Sequence, residues 1–327
     1  MTNLQTPEIS IVVPVFYSQD CLEVLVEAID KALSSTAQGH EIILVNDGSH
    51  DNSWQVIERL GTAHAHIVGI NHRRNFGQDN AIMTGLRFAR GKYVVIMDDD
   101  LQHNPADIPA MLGAIKNGRH DVVYACFHEK RCSLWKRVGS WLNGKTAEWL
   151  ISKPPAVYMS PYKILRADMA KLICDYEGPY PYVDGLLFQV TDRFSHIMVE
   201  FHARYAGEGT YTFRRSLSVW ARLAFSFSIK PLRLVTWMGF MTALLGFLGA
   251  IATVIHRIVA PEQFNEAVAG WTSLIVTVLV LGGVQMIFLG VLGEYVGRTH
   301  LKVSRKPQAT VAETINAASS EEKAIGS

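Results

Sequence analysis

The chain has 327 residues, a formal net charge of +1 and 49% apolar residues. A charge this balanced gives no general attraction to nucleic acid, while the high apolar content predicts that part of the chain contacts lipid. The four cysteines contain no Cys-x-x-Cys pair, so a disulfide framework is not expected and a reducing compartment fits. Residues 1–8 are polar and predict no cleavable signal.

Short apolar runs alternate with helical patterns through the first hundred residues. Strands are predicted at residues 9–15, 41–45, 67–70 and 93–97, with helices at residues 21–36, 53–60 and 80–89. This alternation predicts an α/β fold with a mostly parallel, doubly wound sheet. Ligands of such sheets bind outside the carboxyl ends of the strands, so we expect the functional residues in the loops that follow them.

The loops after the first three predicted strands carry polar groups and glycines. Residues 46–49 read Asn-Asp-Gly-Ser, in which Gly48 permits a tight turn and Asp47 offers a carboxylate to a base or a ribose hydroxyl. Asp-Gly turns are common in any loop. Residues 75–78 precede a predicted helix, whose first N–H groups favour phosphate, although ordinary loop chemistry explains their composition equally well.

Three consecutive aspartates, Asp98, Asp99 and Asp100, follow the apolar run at residues 93–97. Adjacent carboxylates repel one another and are tolerated best beside a divalent cation or a network of donors. The alternative is a solvated acidic turn that caps the next helix.

The character of the chain changes after residue 212. Residues 213–233 mix Arg and Lys with aromatic residues, which is typical of a helix at a membrane surface or of an ordinary basic amphipathic helix. Residues 234–255 and 271–292 are apolar enough to span a bilayer, with a buried hairpin as the alternative. Basic residues on the outer flanks predict cytoplasmic termini, and the polar segment after Pro307 predicts disorder.

In order, the motifs Val-Pro-Val-Phe-Tyr, Asn-Asp-Gly-Ser-x-Asp, Arg-Asn-x-Gly and Asp-Asp-Asp-Leu-Gln resemble the GT-A fold of inverting family 2 glycosyltransferases. The apolar runs, ending in Leu-Gly-Glu-Tyr-Val-Gly-Arg, are similar to those of polyprenyl-phosphate glycosyltransferases, relatives of dolichyl-phosphate mannose synthase. The resemblance covers residues 8–306. It implies a cytoplasmic GT-A domain (residues 1–212), juxtamembrane amphipathic helices (213–233), a two-helix transmembrane region (234–300) and a flexible cytoplasmic tail (301–327).

The resemblance also implies roles for individual residues. Asp98, Asp100 and Asp184 would be catalytic, and Asp98, Asp100 and Gln102 would hold Mg²⁺ or Mn²⁺ against the donor diphosphate. The implied donor-binding residues are Pro14, Val15, Tyr17, Asp47, Asn75, Gly77, Gln78 and Asp99. The implied ligands of the acceptor phosphate are Lys130, Arg131, Lys136, Arg137, Lys163 and Arg204. The first four also fit a cationic face on anionic lipid headgroups.

The sequence departs from the family pattern in three places. Residues 16–18 replace the usual Tyr-Asn-Glu, residues 209 and 210 replace a Ser-Lys pair, and residues 160–163 lack the aspartate of Gly-Asp-Phe-Arg. Asp184 lies where many family members place an acidic base, and it could equally be a helix N-cap. A phosphate acceptor is already ionised near neutral pH and needs little help from a base.

The resemblance predicts a metal-dependent, inverting glycosyltransferase in the inner membrane. It would move one sugar from a nucleotide diphosphate sugar to undecaprenyl or another polyprenyl phosphate, for modification of a cell-envelope glycan. Relatives form homo-oligomers, which implies a homo-oligomer, a tetramer by resemblance. The alternatives are an enzyme with a glycolipid or polysaccharide hydroxyl acceptor, and a non-catalytic nucleotide-binding membrane scaffold.

Overall fold

The computed structural model describes residues 6–34, 39–127, 157, 159–178, 180–199, 230–259, 269–303 and 307–317. The chain divides into two compact units. One comprises residues 1–212 together with residues 305–327, and the other comprises residues 213–304.

The first unit carries an eight-stranded sheet and six described helices. In chain order its elements are β1 (Ile9–Val15), α1 (Leu22–Leu33), β2 (His40–Asn46), α2 (Ser53–Ala63), β3 (Ile67–His72), α3 (Gln78–Phe88), β4 (Tyr93–Ile96), a 3-10 turn (Pro105–Asp107), α4 (Ile108–Asn117), β5 (Val122–Phe127), β6 (Lys163–Arg166), α5 (Ala167–Cys174), α6 (Val183–Val190), β7 (Phe194–Val199) and β8 (Val311–Ile315).

The strand order in the sheet is β7-β5-β6-β4-β1-β2-β3-β8. The strands β4, β1, β2 and β3 run parallel to one another, so their carboxyl ends meet at one edge. The strand β6 is antiparallel to both neighbours, and β7 is parallel to β5. The predicted mostly parallel α/β sheet is therefore confirmed.

The core lies along the central strands, and β1 is buried over its whole length. An apolar stripe on α1, formed by Leu22, Leu25 and Ile29, packs into this core, and full burial of one such side chain stabilises the fold by about 1.5–3 kcal/mol. On α3, a methyl group at Gly85 would come within 2.5 Å of Val12. The glycine thus allows α3 to lie close against the sheet, which brings its N-terminus to the edge where the parallel strands end.

The C-terminal segment corrects one prediction. Residues 301–327 were expected to be a flexible tail, but residues 301–303 belong to a helix and β8 pairs antiparallel with β3. Gly61 and Gly69 leave room for Ile315, since a methyl group at Gly61 would lie 2.8 Å from its Cγ2. The Asn316 side-chain amide then donates to the carbonyls of Gly61 (2.7 Å) and Ile67 (2.9 Å). The polar composition of this segment led to the wrong prediction because a five-residue edge strand needs few apolar residues.

The second unit contains two long helices, α7 (Lys230–Val259) and α8 (Ala269–Val303). They touch where Gly239 faces the ring of Phe288, which a methyl group at Gly239 would approach to 2.9 Å. Among the described residues, one stretch, Val280–Leu301 in α8, is long and apolar enough to cross a membrane, and α7 holds a shorter apolar stretch, Val235–Gly249. The two predicted spans therefore stay a prediction. Residues 213–229 lie outside the described residues.

Candidate active site

Four loops meet at the edge where the parallel strands end. They follow β1, β2, β3 and β4, and they carry most of the residues predicted to bind the donor or the metal ion. Hydrogen bonds join these loops across long sequence separations, so the four loops form one connected surface.

The aspartate turn is held from both sides. Asp98 accepts a hydrogen bond from Gln78 Nε2 (2.7 Å), and its backbone N–H donates to His103 Nδ1 (2.9 Å). Asp100 accepts from the backbone N–H of Gln102 (3.1 Å). Leu101, which lies between Asp100 and Gln102, adopts a positive φ of 60°. Residues other than glycine adopt this conformation at an energetic cost. The turn is thus fixed in an unusual backbone conformation that presents Asp98 and Asp100, both half-buried.

Asp99 faces a different way from its two neighbours. Its carboxylate accepts from the backbone N–H of Phe16 (3.1 Å) and from the hydroxyl of Ser18. Burial raises the pKa of Asp99 to about 6, although these two donors oppose the shift. Asp99 therefore ties the loop after β1 to the loop after β4, and its predicted contact with the donor stays a prediction.

The oxygen donors of the turn fit a hard divalent cation. Asp98 and Asp100 supply carboxylates and Gln102 supplies an amide oxygen, which are ligands that Mg²⁺ and Mn²⁺ prefer. Within the described ranges the three aspartates do not converge as a three-ligand cage. Mg²⁺ is commonly held by one or two carboxylates while the substrate phosphates complete its shell.

His103 holds the backbone of the aspartate turn, and the sequence did not predict this role for His103. Its ring is stacked on Tyr162 at 4.9 Å and on Phe127 at 5.8 Å between centroids. Burial lowers the pKa of His103 to about 4, so the ring is neutral at pH 7 and Nδ1 can accept the N–H of Asp98. No sequence pattern separates such a buried histidine from an exposed one that follows an acidic loop.

Asp47 is buried and organises the loop after β3. One carboxylate oxygen accepts from the N–H of Phe76 (2.8 Å) and meets Nδ1 of His72 (2.9 Å), and the other accepts from the N–H of Gly77 (2.8 Å). Gly48 has a φ of 67°, and a methyl group there would lie 2.4 Å from the backbone carbon of Arg74. These contacts pack the two loops backbone to backbone, while a direct contact of Asp47 with a nucleoside stays a prediction.

The other predicted donor-binding residues differ in accessibility. Pro14 and Val15 are buried within β1, whereas Asn75 and Gln78 are exposed. Tyr17 is 52% exposed and has a positive φ of 58°, with its N–H bonded to Ser49 Oγ at 3.1 Å. Tyr17 therefore presents an aromatic face at the site.

Asp184 lies in a buried polar cluster. It is the second residue of α6, and Tyr182 is the N-cap, so the N-cap alternative is wrong. Its Oδ1 accepts from the Tyr124 hydroxyl (2.9 Å) and from the Lys163 ammonium. The Lys163 side chain is only 4% exposed, and its predicted role as a ligand of the acceptor phosphate stays a prediction.

Asp79 adjoins this cluster and was also missed. It stands in the first turn of α3 and accepts from the N–H of Val183 at 3.3 Å. Burial, aided by the nearby charge of Asp184, raises the pKa of Asp79 to about 6. Asp79 thus connects the helix that begins at the aspartate edge with the helix that carries Asp184.

The remaining predicted site residues lie outside the described part of the chain. They are the predicted ligands of the acceptor phosphate Lys130, Arg131, Lys136, Arg137 and Arg204.

Two family models match the chain. Residues 10–169 match the model described as glycosyl transferase family 2, and residues 230–299 match the GtrB C-terminal hairpin. The first match contains all four loops of the edge described above, and the second contains all of α7 and the larger part of α8.

Curated relatives match almost the whole chain. An undecaprenyl-phosphate 4-deoxy-4-formamido-L-arabinose transferase of Aeromonas hydrophila is 29% identical over 325 residues, covering 97% of each chain. The protein of the same name from Yersinia enterocolitica is 28% identical over 315 residues, covering 96% of this chain and 95% of its own.

Solved structures match the fold. Glucosyl-3-phosphoglycerate synthase of Mycobacterium tuberculosis in complex with UDP is 15% identical with a TM-score of 0.51, over 68% of this chain and 79% of that one. Its complex with Mn²⁺, UDP and glucosyl-3-phosphoglycerate is 16% identical with the same TM-score and the same coverage. The GT-A fold of the α/β unit is thereby confirmed.

Proposed function

We propose, since this chain belongs to the family 2 polyprenyl-phosphate glycosyltransferases, that it transfers one sugar from a nucleotide diphosphate sugar to undecaprenyl phosphate with inversion. The observation that carries this proposal is the fixed aspartate turn, which presents Asp98 and Asp100 at the edge of a GT-A sheet. The similarity of both halves of the chain to undecaprenyl-phosphate sugar transferases supports the choice of acceptor.

On the donor side, Asp98, Asp100 and Gln102 would hold Mg²⁺ or Mn²⁺. The ion would supply positive charge beside the diphosphate and so stabilise the leaving nucleotide. A structural neighbour that was crystallised with Mn²⁺ and UDP supports the proposal of a divalent cation beside the donor. The exposed Tyr17 ring would pack against the nucleoside, and Asp47 and Asp99 would hold the surrounding loops in place.

On the acceptor side, the chemistry requires little proton transfer. A phosphomonoester has a second pKa of about 6, so the lipid phosphate reaches the anomeric carbon already ionised. Asp184 Oδ1 already accepts hydrogen bonds from Lys163 and Tyr124, so this oxygen is engaged in holding the buried cluster. We therefore assign Asp184 to positioning, with the cations at Lys130, Arg131, Lys136, Arg137 and Arg204 as ligands of the acceptor phosphate.

Chain connectivity supports the proposed membrane arrangement. The α/β unit includes residues on both sides of the second unit, because β8 pairs with β3 after α8 has ended. A segment whose two ends join one folded unit crosses a bilayer an even number of times. If α8 spans the inner membrane, a second crossing must precede it. This supports a multi-pass protein with a cytoplasmic catalytic unit, associating as a homo-oligomer.

A transfer assay tests the proposal. The purified chain in detergent receives undecaprenyl phosphate, Mg²⁺ or Mn²⁺ and a panel of nucleotide sugars that includes nucleotide-linked 4-deoxy-4-formamido-L-arabinose, the sugar named for the curated relatives. We expect a lipid product heavier by one sugar, lost with EDTA and in Asp100→Ala but retained in Asp192→Ala, an exposed control. Nucleotide binding without any product would point instead to a hydroxyl acceptor or a scaffold.

A further inference from the structure

A cluster of imidazole and carboxylate ligands lies at the opposite edge of the sheet from the aspartate turn. Asp30 stands in the last turn of α1, His40 is the first residue of β2, and His66 directly precedes β3. Because β2 and β3 are parallel, both histidines stand where the strands begin, whereas the candidate active site stands where they end. The cluster is therefore separate from the site of sugar transfer.

The ligand atoms of the cluster already converge. Asp30 Oδ1 lies 2.7 Å from His40 Nε2 and 3.0 Å from His66 Nε2. The two imidazole rings meet edge to face with centroids 5.1 Å apart. In a tetrahedral zinc site with bonds of about 2.0–2.1 Å, neighbouring ligand atoms are about 3.3 Å apart. Widening the two distances from Asp30 by roughly 0.3–0.6 Å would bring them to this spacing, and all three ligand atoms already lie within 4.8 Å of one another.

The surroundings permit this small movement. The side chains of Asp30 and His66 are 34% and 33% exposed, and that of His40 is 14% exposed, so the cluster is anchored on one side and open on the other. The ring of His64 packs against His66 at 5.7 Å between centroids. The open side leaves a fourth coordination position to water.

We propose that Asp30, His40 and His66 form a structural site for a transition-metal ion of the zinc class. Two imidazole nitrogens and one carboxylate suit Zn²⁺ and similar ions, whereas the all-oxygen donors of Asp98 and Asp100 suit Mg²⁺ or Mn²⁺. The two sites therefore differ in ligand chemistry as well as in place. An ion here would join the end of α1 to the starts of β2 and β3.

Such an ion would also stabilise the turn on which the C-terminal segment docks. The carbonyls of Gly61 and Ile67, on either side of His64 and His66, accept hydrogen bonds from Asn316. Metal binding at the turn is thus expected to raise the stability of the α/β unit by mass action, with no step in sugar transfer assigned to it.

The test is a Zn²⁺ titration of the full chain, purified in detergent with a tag that contains no histidine. The protein is first stripped with EDTA, and saturating Mg²⁺ is then added to occupy oxygen sites. Binding is measured by competition with a chromophoric chelator, and the melting temperature is measured with and without Zn²⁺. The variants are the double substitution His40→Gln with His66→Gln, and the control His196→Gln, an exposed histidine on β7 at the far end of the sheet.

We expect the wild type and the control to bind about one Zn²⁺ per chain at this site and to melt at a higher temperature with Zn²⁺. The double variant should bind more weakly by over 100-fold, beyond the roughly 10–100-fold that loss of an outer-shell partner costs. X-ray absorption of the Zn²⁺-loaded wild type should show nitrogen and oxygen ligands, a readout that does not depend on how the variant folds. Absence of Zn²⁺ binding, or equal binding by the double variant, would leave only a hydrogen-bonded cluster and overturn the proposal.

Discussion

The acidic residues at the sheet edge differ in which parts of the four loops their carboxylates contact. The carboxylates of Asp47 and Asp99 accept hydrogen bonds from backbone N–H groups and interact with neighbouring side chains. These contacts hold the loops together. Asp98 and Asp100 belong to the aspartate turn itself, where Asp98 accepts from Gln78 and Asp100 accepts from the N–H of Gln102. His103 accepts the backbone N–H of Asp98 and so holds this turn. Under the proposed function, Asp98 and Asp100 would act on the donor, and Asp47, Asp99 and His103 would hold the surrounding loops in place.

A pair of isosteric substitutions tests this division. Asp100→Asn removes an anionic oxygen from the proposed metal site, and Asp184→Asn keeps a hydrogen-bond acceptor for Tyr124 and Lys163. Since a phosphate acceptor needs no strong base, Asp184→Asn should lower kcat by less than the about 10²–10⁴-fold typical of losing a general base. Asp100→Asn should cost more, and its activity should recover in part at high Mn²⁺.

Steady-state kinetics with saturating lipid and a titrated metal would measure both effects. An equal and near-complete loss at Asp184 would contradict the positioning role and favour a hydroxyl acceptor. Melting temperatures of the two variants control for misfolding, because Asp184 lies in a buried ion pair and its loss also affects stability.

The stability of the fold should depend on the protonation of Asp79. Its pKa is raised by burial from 3.8 to about 6 in the folded protein, so between these values the folded state binds more protons than the unfolded state. Stability therefore falls as pH rises through this window, and the penalty is complete above pH 6. Asp79→Asn, which can still accept from Val183, should raise the melting temperature more at pH 8 than at pH 4. A shift that is equal at both pH values would contradict the raised pKa.

Among the elements, the alternating strands and helices of the first hundred residues could be predicted because each carries its own apolar period. The strand β8 could not, because its position depends on space left by Gly61 and Gly69, which are distant in sequence. The same reason limited how much of the candidate site could be predicted from the sequence. The aspartate triplet was visible, but the turning of Asp99 toward Phe16 and the pairing of Lys163 with Asp184 arise only when distant segments meet.

The docking of β8 should depend on Asn316. Its φ of 56° suits Asn or Gly, so Asn316→Gly keeps the backbone conformation and removes only the amide that bonds Gly61 and Ile67. Leaving buried acceptors without a partner costs about 1–3 kcal/mol, and the tail should become more sensitive to limited proteolysis. Asn117→Gly, at the exposed end of α4, is the control for substitution of a surface asparagine. Unchanged protease sensitivity would mean that strand pairing alone holds the tail.

For the whole molecule, the return of the chain to its own sheet constrains the membrane topology. Because β8 pairs with β3, the proposed pair of crossings predicts that the segments before α7 and after α8 share one side of the bilayer. It predicts the connector at residues 260–268 on the other side. A cysteine placed at Glu262 should react in intact cells with a thiol reagent that cannot cross the inner membrane. A cysteine placed at Ser327 should react only after lysis. Wild-type cells give the background from the native thiols, of which Cys21 and Cys126 are buried. If neither cysteine reacts before lysis, the chain lies on the membrane without crossing it. The α/β unit alone would then have to reach the acceptor phosphate from one leaflet.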